Sequence, residues 1–186
     1  MKNKSMEKID YILTAALEVF LQYGFKKTSM DDIAKAAGIT RQGLYFHFKN
    51  KDEIFAASIQ KALHDGLQAA SAALKENGAP LERKLFRALD AWYGSYAGLF
   101  GSERSDWDFH CRRVCGSDIA DSETLFRQKL TETIFACTDK PPVQAHAQTI
   151  AEVLCTCGQS WKRTADSHEK FTEKMYGAIR LCCQNS

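Results

Sequence analysis

The sequence predicts an all-α protein of about nine helices, and three observations carry that expectation. Apolar residues recur at the 3.6-residue spacing of one helix face along most of the 186 residues. No segment sustains the period-two alternation of a half-buried strand. Only three prolines interrupt the chain, at 80, 141 and 142, so long helices meet few obligatory stops.

The first helix is expected from about Ser5 to Tyr23, with Ile9, Leu13, Ala16, Leu17 and Phe20 on one stripe and Gly24 as its stop. A short second helix opens in "TSMDDIAKAAG". There Ser29 and Asp32 have the spacing of a capping box, in which hydroxyl and carboxylate satisfy unpaired backbone amides reciprocally. Ile33, Ala36 and Ala37 are expected to face inward. Gly38 supplies a left-handed turn, Ile39 fills the corner, and Thr40 caps a third helix running to about Phe48.

A long amphipathic helix follows over roughly 51–77, carrying Ile54, Phe55, Ile59, Leu63 and Leu67, and "NGAP" breaks it. The next is expected from Leu81 to about Phe100, with Leu85, Leu89, Trp92, Tyr96 and Phe100 inward. A short helix near 103–114 and another, capped by Ser117 or Asp118 and reaching Cys137, precede the breaker "TDKPP". Two final helices are expected over about 141–164 and 168–184.

Composition excludes several classes. Hydrophobic residues make up 45% of the chain, enough for a buried core. No apolar run approaches the roughly 18 residues of a membrane span, and the start "MKNKSMEKID" is too polar for a signal peptide, so a cytoplasmic protein without membrane contact is expected. Seven cysteines, an odd number, argue against a disulfide framework, and most read as small buried hydrophobes. None has the paired spacing of a structural zinc site, no glycine-rich phosphate loop or nucleophile elbow occurs, and no metal, cofactor or catalytic residue is expected.

The net charge of +2 is distributed unevenly. Residues 1–51 hold nine Lys/Arg against five Asp/Glu, whereas 52–186 hold sixteen against eighteen. A basic front on a mildly acidic body suits a chain of which one part meets a polyanion.

Two short helices joined by a glycine turn and braced by a first helix make a helix-turn-helix, whose second helix lies in the DNA major groove. Leu44 and Phe48 are four residues apart and face inward. Arg41, Gln42, Tyr45 and His47 are thereby left outside. Arginine pairs bidentately with guanine and glutamine with adenine. Tyr45, His47 and Lys51 suit phosphate oxygens, as do the hydroxyls of Thr28 and Ser29 at a helix start. Thr40 and Gly43 complete the candidate DNA-contacting set.

The stretch "TSMDDIAKAAGITRQGLYFHFKNKDEIF" (28–55) resembles the DNA-binding signature of the tetracycline-repressor (TetR) family of bacterial regulators. The matching residues are Thr28-Ser29, Asp32-Ile33-Ala34, Ala37-Gly38-Ile39, Leu44-Tyr45, His47-Phe48 and Lys51. The resemblance covers residues 5–56 or so and departs from the family at Gln42 and Gly43, where bases are read. It implies a DNA-binding domain over 1–51 and a helical effector-binding and dimerisation domain over 52–186. Its implied partners are a palindromic double-stranded operator, a small-molecule effector, and a second copy of the chain docked through the last two helices. A ligand-released repressor is the expectation.

Trp92, Tyr96, Phe100, Trp107, Phe109, His110 and Trp161 are the candidate effector-binding residues, suited to an aromatic or lipophilic molecule. An aromatic residue at helical spacing is more often plain core than a ligand contact. Cys111 and Cys115, i and i+4 beside Arg112 and Arg113, leave open a thiol-sensing regulator. An enzyme or a protein-interaction module on the same scaffold are further alternatives.

Overall fold

Gly24 decides the shape of the first element. In the computed structural model, which describes residues 2–99, 104–137 and 144–183, the helical run α1 (Lys2–Lys27) is broken at Gly24, with φ 79° and ψ 166°. Only glycine adopts that backbone without steric penalty. The predicted stop is therefore in place, followed by one further turn.

Helices α2 (Met30–Ala36) and α3 (Arg41–His47) follow, then α4 (Lys51–Leu74) and α5 (Leu81–Tyr93). A single 3₁₀ turn, Gly94–Tyr96, precedes α6 (Arg104–Ala136), α7 (Gln144–Thr164) and α8 (His168–Cys183). Eight α-helices are thus counted among the described residues, against about nine expected, and no strand occurs among them. The difference lies in α6, where a bend at Cys115 (φ −128°, ψ 19°) replaces the predicted gap. With no proline there, "CGSD" bends the helix without ending it, and Asp118 accepts from Gln60 Nε2 at 2.9 Å instead of capping. The fifth helix stops at Tyr93, short of Phe100, which lies outside the described residues. The "TDKPP" breaker also lies outside them.

The chain forms two compact units, Met1–His64 with Leu99–Ile119, and Asp65–Gly98 with Ala120–Ser186. In the first, α1 packs on α2 and α2 on α3 around Ile12, Ala16, Phe20, Ile33, Leu44, Ile54 and Phe55. The Phe20, Phe25 and Phe55 rings meet at centroid distances of 5.0–5.8 Å. Trp107 lies edge-on to Phe55 at 5.3 Å, and His110 stacks on Phe25 at 3.8 Å. The inner face of α2 is Met30, Ile33, Ala34 and Ala37, whereas Ala36, expected inside, is exposed. At about 100° per residue Ala36 sits roughly 110° from the centre of that stripe.

In the second unit α5, α7 and α8 pack together around Leu85, Leu89, Tyr93, Leu154, Phe171, Met175 and Ile179. Tyr93 is fully buried and its hydroxyl donates to Glu123 Oε2 at 2.7 Å. Gly158 lets α7 lie directly on the Tyr93 ring, into which any Cβ at that position would project. Trp92 stacks on Phe126 at 5.2 Å. His168 is exposed as expected, yet its Nε2 is 2.7 Å from Asp90 Oδ1.

Candidate nucleic-acid interface

The start of α2 is built as its sequence requires. Asp32 N donates to Ser29 Oγ (3.2 Å), and Ser29 N donates to Asp32 Oδ2 (2.9 Å), closing the capping box. The Ser29 hydroxyl also donates to that carboxylate at 2.6 Å, and these bonds hold the Asp32 carboxyl below its usual range. Thr28 is 2% exposed and its hydroxyl donates to Gly24 O at 2.7 Å. Of the two hydroxyls expected to face outward, that of Thr28 is engaged inside the head, whereas that of Ser29 stays at the surface, bonded to Asp32.

Gly38, with φ 61°, makes the left-handed turn between the two short helices. Thr40 caps α3 by accepting from Gly43 N at 3.0 Å. A Cβ at Gly43 would stand 3.2 Å from that same hydroxyl oxygen, a local packing reason for glycine there. Leu44 and Phe48 are buried as predicted, at 0% and 7% exposure. Arg41, Gln42 and Tyr45 are exposed and Gly43 and His47 half-buried.

The exposed face has internal order of its own. Arg41 Nη1 lies 3.0 Å from Asp31 Oδ2, both side chains being half or more exposed, and the guanidinium stands 5.6 Å from the Tyr45 ring centroid. The Tyr45 hydroxyl first and the Asp31 carboxylate second push the Arg41 pKa further up. The Asp31 carboxylate thus competes with any other acceptor for Nη1 of Arg41.

Lys51 departs most from its expected setting. It is half-buried, and its Nζ donates to Phe25 O and Thr28 O, each at 2.7 Å, while standing 4.3 Å from the Phe25 ring centroid. The amides that would serve these carbonyls in a continuing helix are those of Ser29 and Asp32. Both are committed to the capping box. Asn50, one residue earlier, caps α4 by accepting from Glu53 N at 2.9 Å.

Sequence reasoning missed two residues of this surface. Phe46 on α3 is 85% exposed, the most exposed large hydrophobic side chain among the described residues. Asp31 was passed over although it stands in the first turn of α2 with Arg41 in reach. The signal for Phe46 was present: it lies outside the stripe that Leu44 and Phe48 define.

The candidate effector residues divide between the units. Trp107 and His110 belong to the aromatic cluster around Phe55, and Phe109 is 61% exposed. In the other unit Trp92 is buried, Tyr96 and Trp161 are half-buried, and the Tyr96 phenol is pushed up, first by burial and then by Asp65. Burial also raises the thiols of Cys115, Cys155, Cys157, Cys182 and Cys183, which disfavours the thiolate that sensing chemistry uses. Among the described residues no group of three or more His, Cys, Asp or Glu could hold a metal ion. No helix of the described residues is long and apolar enough to cross a membrane.

Known proteins place this geometry. Residues 12–58 match the family model of bacterial regulatory proteins of the tetR family. The chain is 46% identical over 55 residues to the HTH-type transcriptional regulator AcrR of Shigella flexneri, covering 30% of this chain and 26% of that one. It is 41% identical over 61 residues to the HTH-type transcriptional repressor BepR of Brucella suis, covering 33% and 29%. The matched segments thus span well under half the length of these curated relatives. Over the whole length the fold matches a transcriptional regulator of Rhodococcus sp. RHA1, with TM-score 0.69 and 18% identity over 95% of this chain and 96% of that one. It also matches the fatty acid degradation regulator FadR of Bacillus halodurans, with TM-score 0.62 and 17% identity over 94% of each. Residues 12–58 are thus similar to the tetR family of bacterial regulatory proteins, and the likeness to solved structures over the whole length is one of fold.

Proposed function

We propose that the protein is a homodimeric, ligand-responsive transcriptional repressor that binds a palindromic DNA operator. The observation that carries this reading is the outer face of α3. Burying Leu44 and Phe48 sets Gln42, Tyr45 and Phe46 outward on a short helix held by a capped glycine turn. Residues 1–51 are the DNA-binding part and 52–186 the effector-binding and dimerisation part.

Within this proposal Arg41 and Gln42 read base edges, Arg41 after releasing Asp31. Tyr45 and His47 meet phosphates, as does the exposed Ser29 at the opening of α2, and Thr40 and Gly43 set the approach of the helix, whereas buried Thr28 supports that opening from within. Lys51 acts as the brace of the head, since two carbonyls hold its ammonium. The second copy docks on α7 and α8, which present Val153, Tyr176 and Leu181 at the surface. An aromatic or lipophilic effector binds in the larger part and favours the arrangement the operator rejects. Its trigger is a ligand; of the two cysteines that left thiol sensing open, both are buried and the Cys115 thiol is raised.

Footprinting of the full-length chain on the DNA flanking its own gene tests the reading. The expected result is a symmetric protected site whose protection a screened compound abolishes. Absence of protection on any duplex, at low salt as well as high, would refute it.

A further inference from the structure

We infer that Phe46 reads a thymine through its 5-methyl group, roughly two base-pair steps from an adenine read by Gln42. The inference rests on the proposed operator binding and names the base chemistry α3 takes there.

The angular order of α3 carries the argument. At about 100° per residue, Gln42 and Phe46 lie roughly 160° to either side of buried Leu44, so they flank the outermost line of the helix about 40° apart. Tyr45 and Gly43 stand on its shoulders, about 100° from Leu44. Arg41 and His47 stand nearer the buried edge, at about 60°. Phe46 is accordingly 85% exposed, Tyr45 43% and His47 half-buried, while Arg41, at the open first position of the helix, is also exposed. Arg41 is moreover paired with Asp31 on α2. The side chains that reach deepest into a groove are therefore Gln42 and Phe46.

An exposed phenyl ring at the tip of a groove-reading helix needs an apolar contact. The major-groove edges of the four base pairs offer one prominent apolar group, the thymine methyl, amid hydrogen-bond donors and acceptors and a few ring C–H groups. The surroundings fit that occupant. Thr40, Gln42, Gly43, Tyr45 and Phe46 line a shallow hollow of about 560 Å³. Gly43, three residues before Phe46, has no side chain to fill it, so a methyl can seat against the ring. The charge of the head suits a duplex, with nine Lys/Arg against five Asp/Glu over residues 1–51. Phe46 and Gln42 are separated by about 6 Å along the helix axis, which corresponds to roughly two base-pair steps.

The test starts from the full-length chain and a duplex selected from a random pool. Each thymine is then replaced singly by deoxyuridine, which removes only the methyl. Titrations use the wild type and Phe46→Ala, a substitution of an exposed ring whose folding is checked by circular dichroism. At one thymine per half-site the replacement should weaken wild-type binding about fourfold, near fifteenfold for both half-sites together. Phe46→Ala should bind the thymine and uracil duplexes alike. The inference is overturned if uracil is neutral at every position, if Phe46→Ala keeps the sensitivity, or if Phe46→Ala weakens all sequences equally. A chain that selects a duplex and ignores the methyl sinks this inference alone, whereas one that selects none sinks the regulator reading with it.

Discussion

Replacing Lys51 with methionine separates the phosphate contact that the sequence suggests from the bracing role that its hydrogen bonds support. The substitution keeps the aliphatic stem and removes the ammonium, which donates to Phe25 O and Thr28 O at 2.7 Å and faces the Phe25 ring at 4.3 Å. Because the Ser29 and Asp32 amides are occupied, no nearby backbone donor replaces it. Hydrogen bonds to a charged donor contribute about 1.5–3 kcal/mol, and an exposed cation–π contact about 0.5–1 kcal/mol. Lys51 is only half-buried and water offsets part of the loss, so the expected destabilisation is about 2 kcal/mol. For a chain of this length that corresponds to a fall in melting temperature of about 4–8 °C, read by calorimetry. The salt dependence of operator binding, measured well below that temperature, should keep its slope. A lysine on a phosphate would instead contribute about 0.9 to that slope. An unchanged melting temperature together with a slope reduced by about that much would refute the brace and make Lys51 a phosphate ligand.

Four further outcomes are expected. Asp31→Asn releases Arg41 from its ion pair and removes a negative charge from the outer face, so DNA affinity should rise severalfold at low salt; fluorescence anisotropy with a labelled duplex measures it. Ser29→Ala removes the capping hydroxyl of α2 and should cost about 1 kcal/mol in urea unfolding. Gly158→Ala drives a methyl into the Tyr93 ring and should cost about 1–3 kcal/mol, seen as a lowered urea midpoint. Burial holds the Cys155 thiol up at about 12 from its ordinary 9.0, so the folded chain keeps a proton that the unfolded chain loses. Its contribution is complete below pH 9 and falls between pH 9 and 12, by at most about 1.4 kcal/mol per pH unit, and Cys155→Ala should flatten that decline in urea titrations.

Local signals made most of the fold legible. Gly24, the Ser29–Asp32 box, Gly38 and Thr40 act within a few residues of themselves, so the first three helices follow from adjacent sequence. The inward turn of Leu44 and Phe48 follows from one helical period. Errors arise where tertiary packing outweighs a local stop or start. "CGSD" carries turn residues yet only bends α6, and α5 ends at Tyr93 against Gly94, whose Cβ position is occupied by Asp90 and Phe171. The setting of Lys51 was out of reach for the same reason, since its partners lie 23 and 26 residues earlier. The effector residues were legible as aromatics at helical spacing and not as members of a site, because periodicity carries no information on which unit each one joins.

The aromatic cluster of the first unit bears on how such heads are transplanted. Phe25 and Phe55 receive His110 and Trp107 from a stretch far downstream, so the front of the chain is not finished by its own contiguous residues. A chimera that joins residues 1–64 to a foreign body leaves both rings uncovered. Such a graft will need a surrogate for that downstream segment before α1 and α4 are held as they are here.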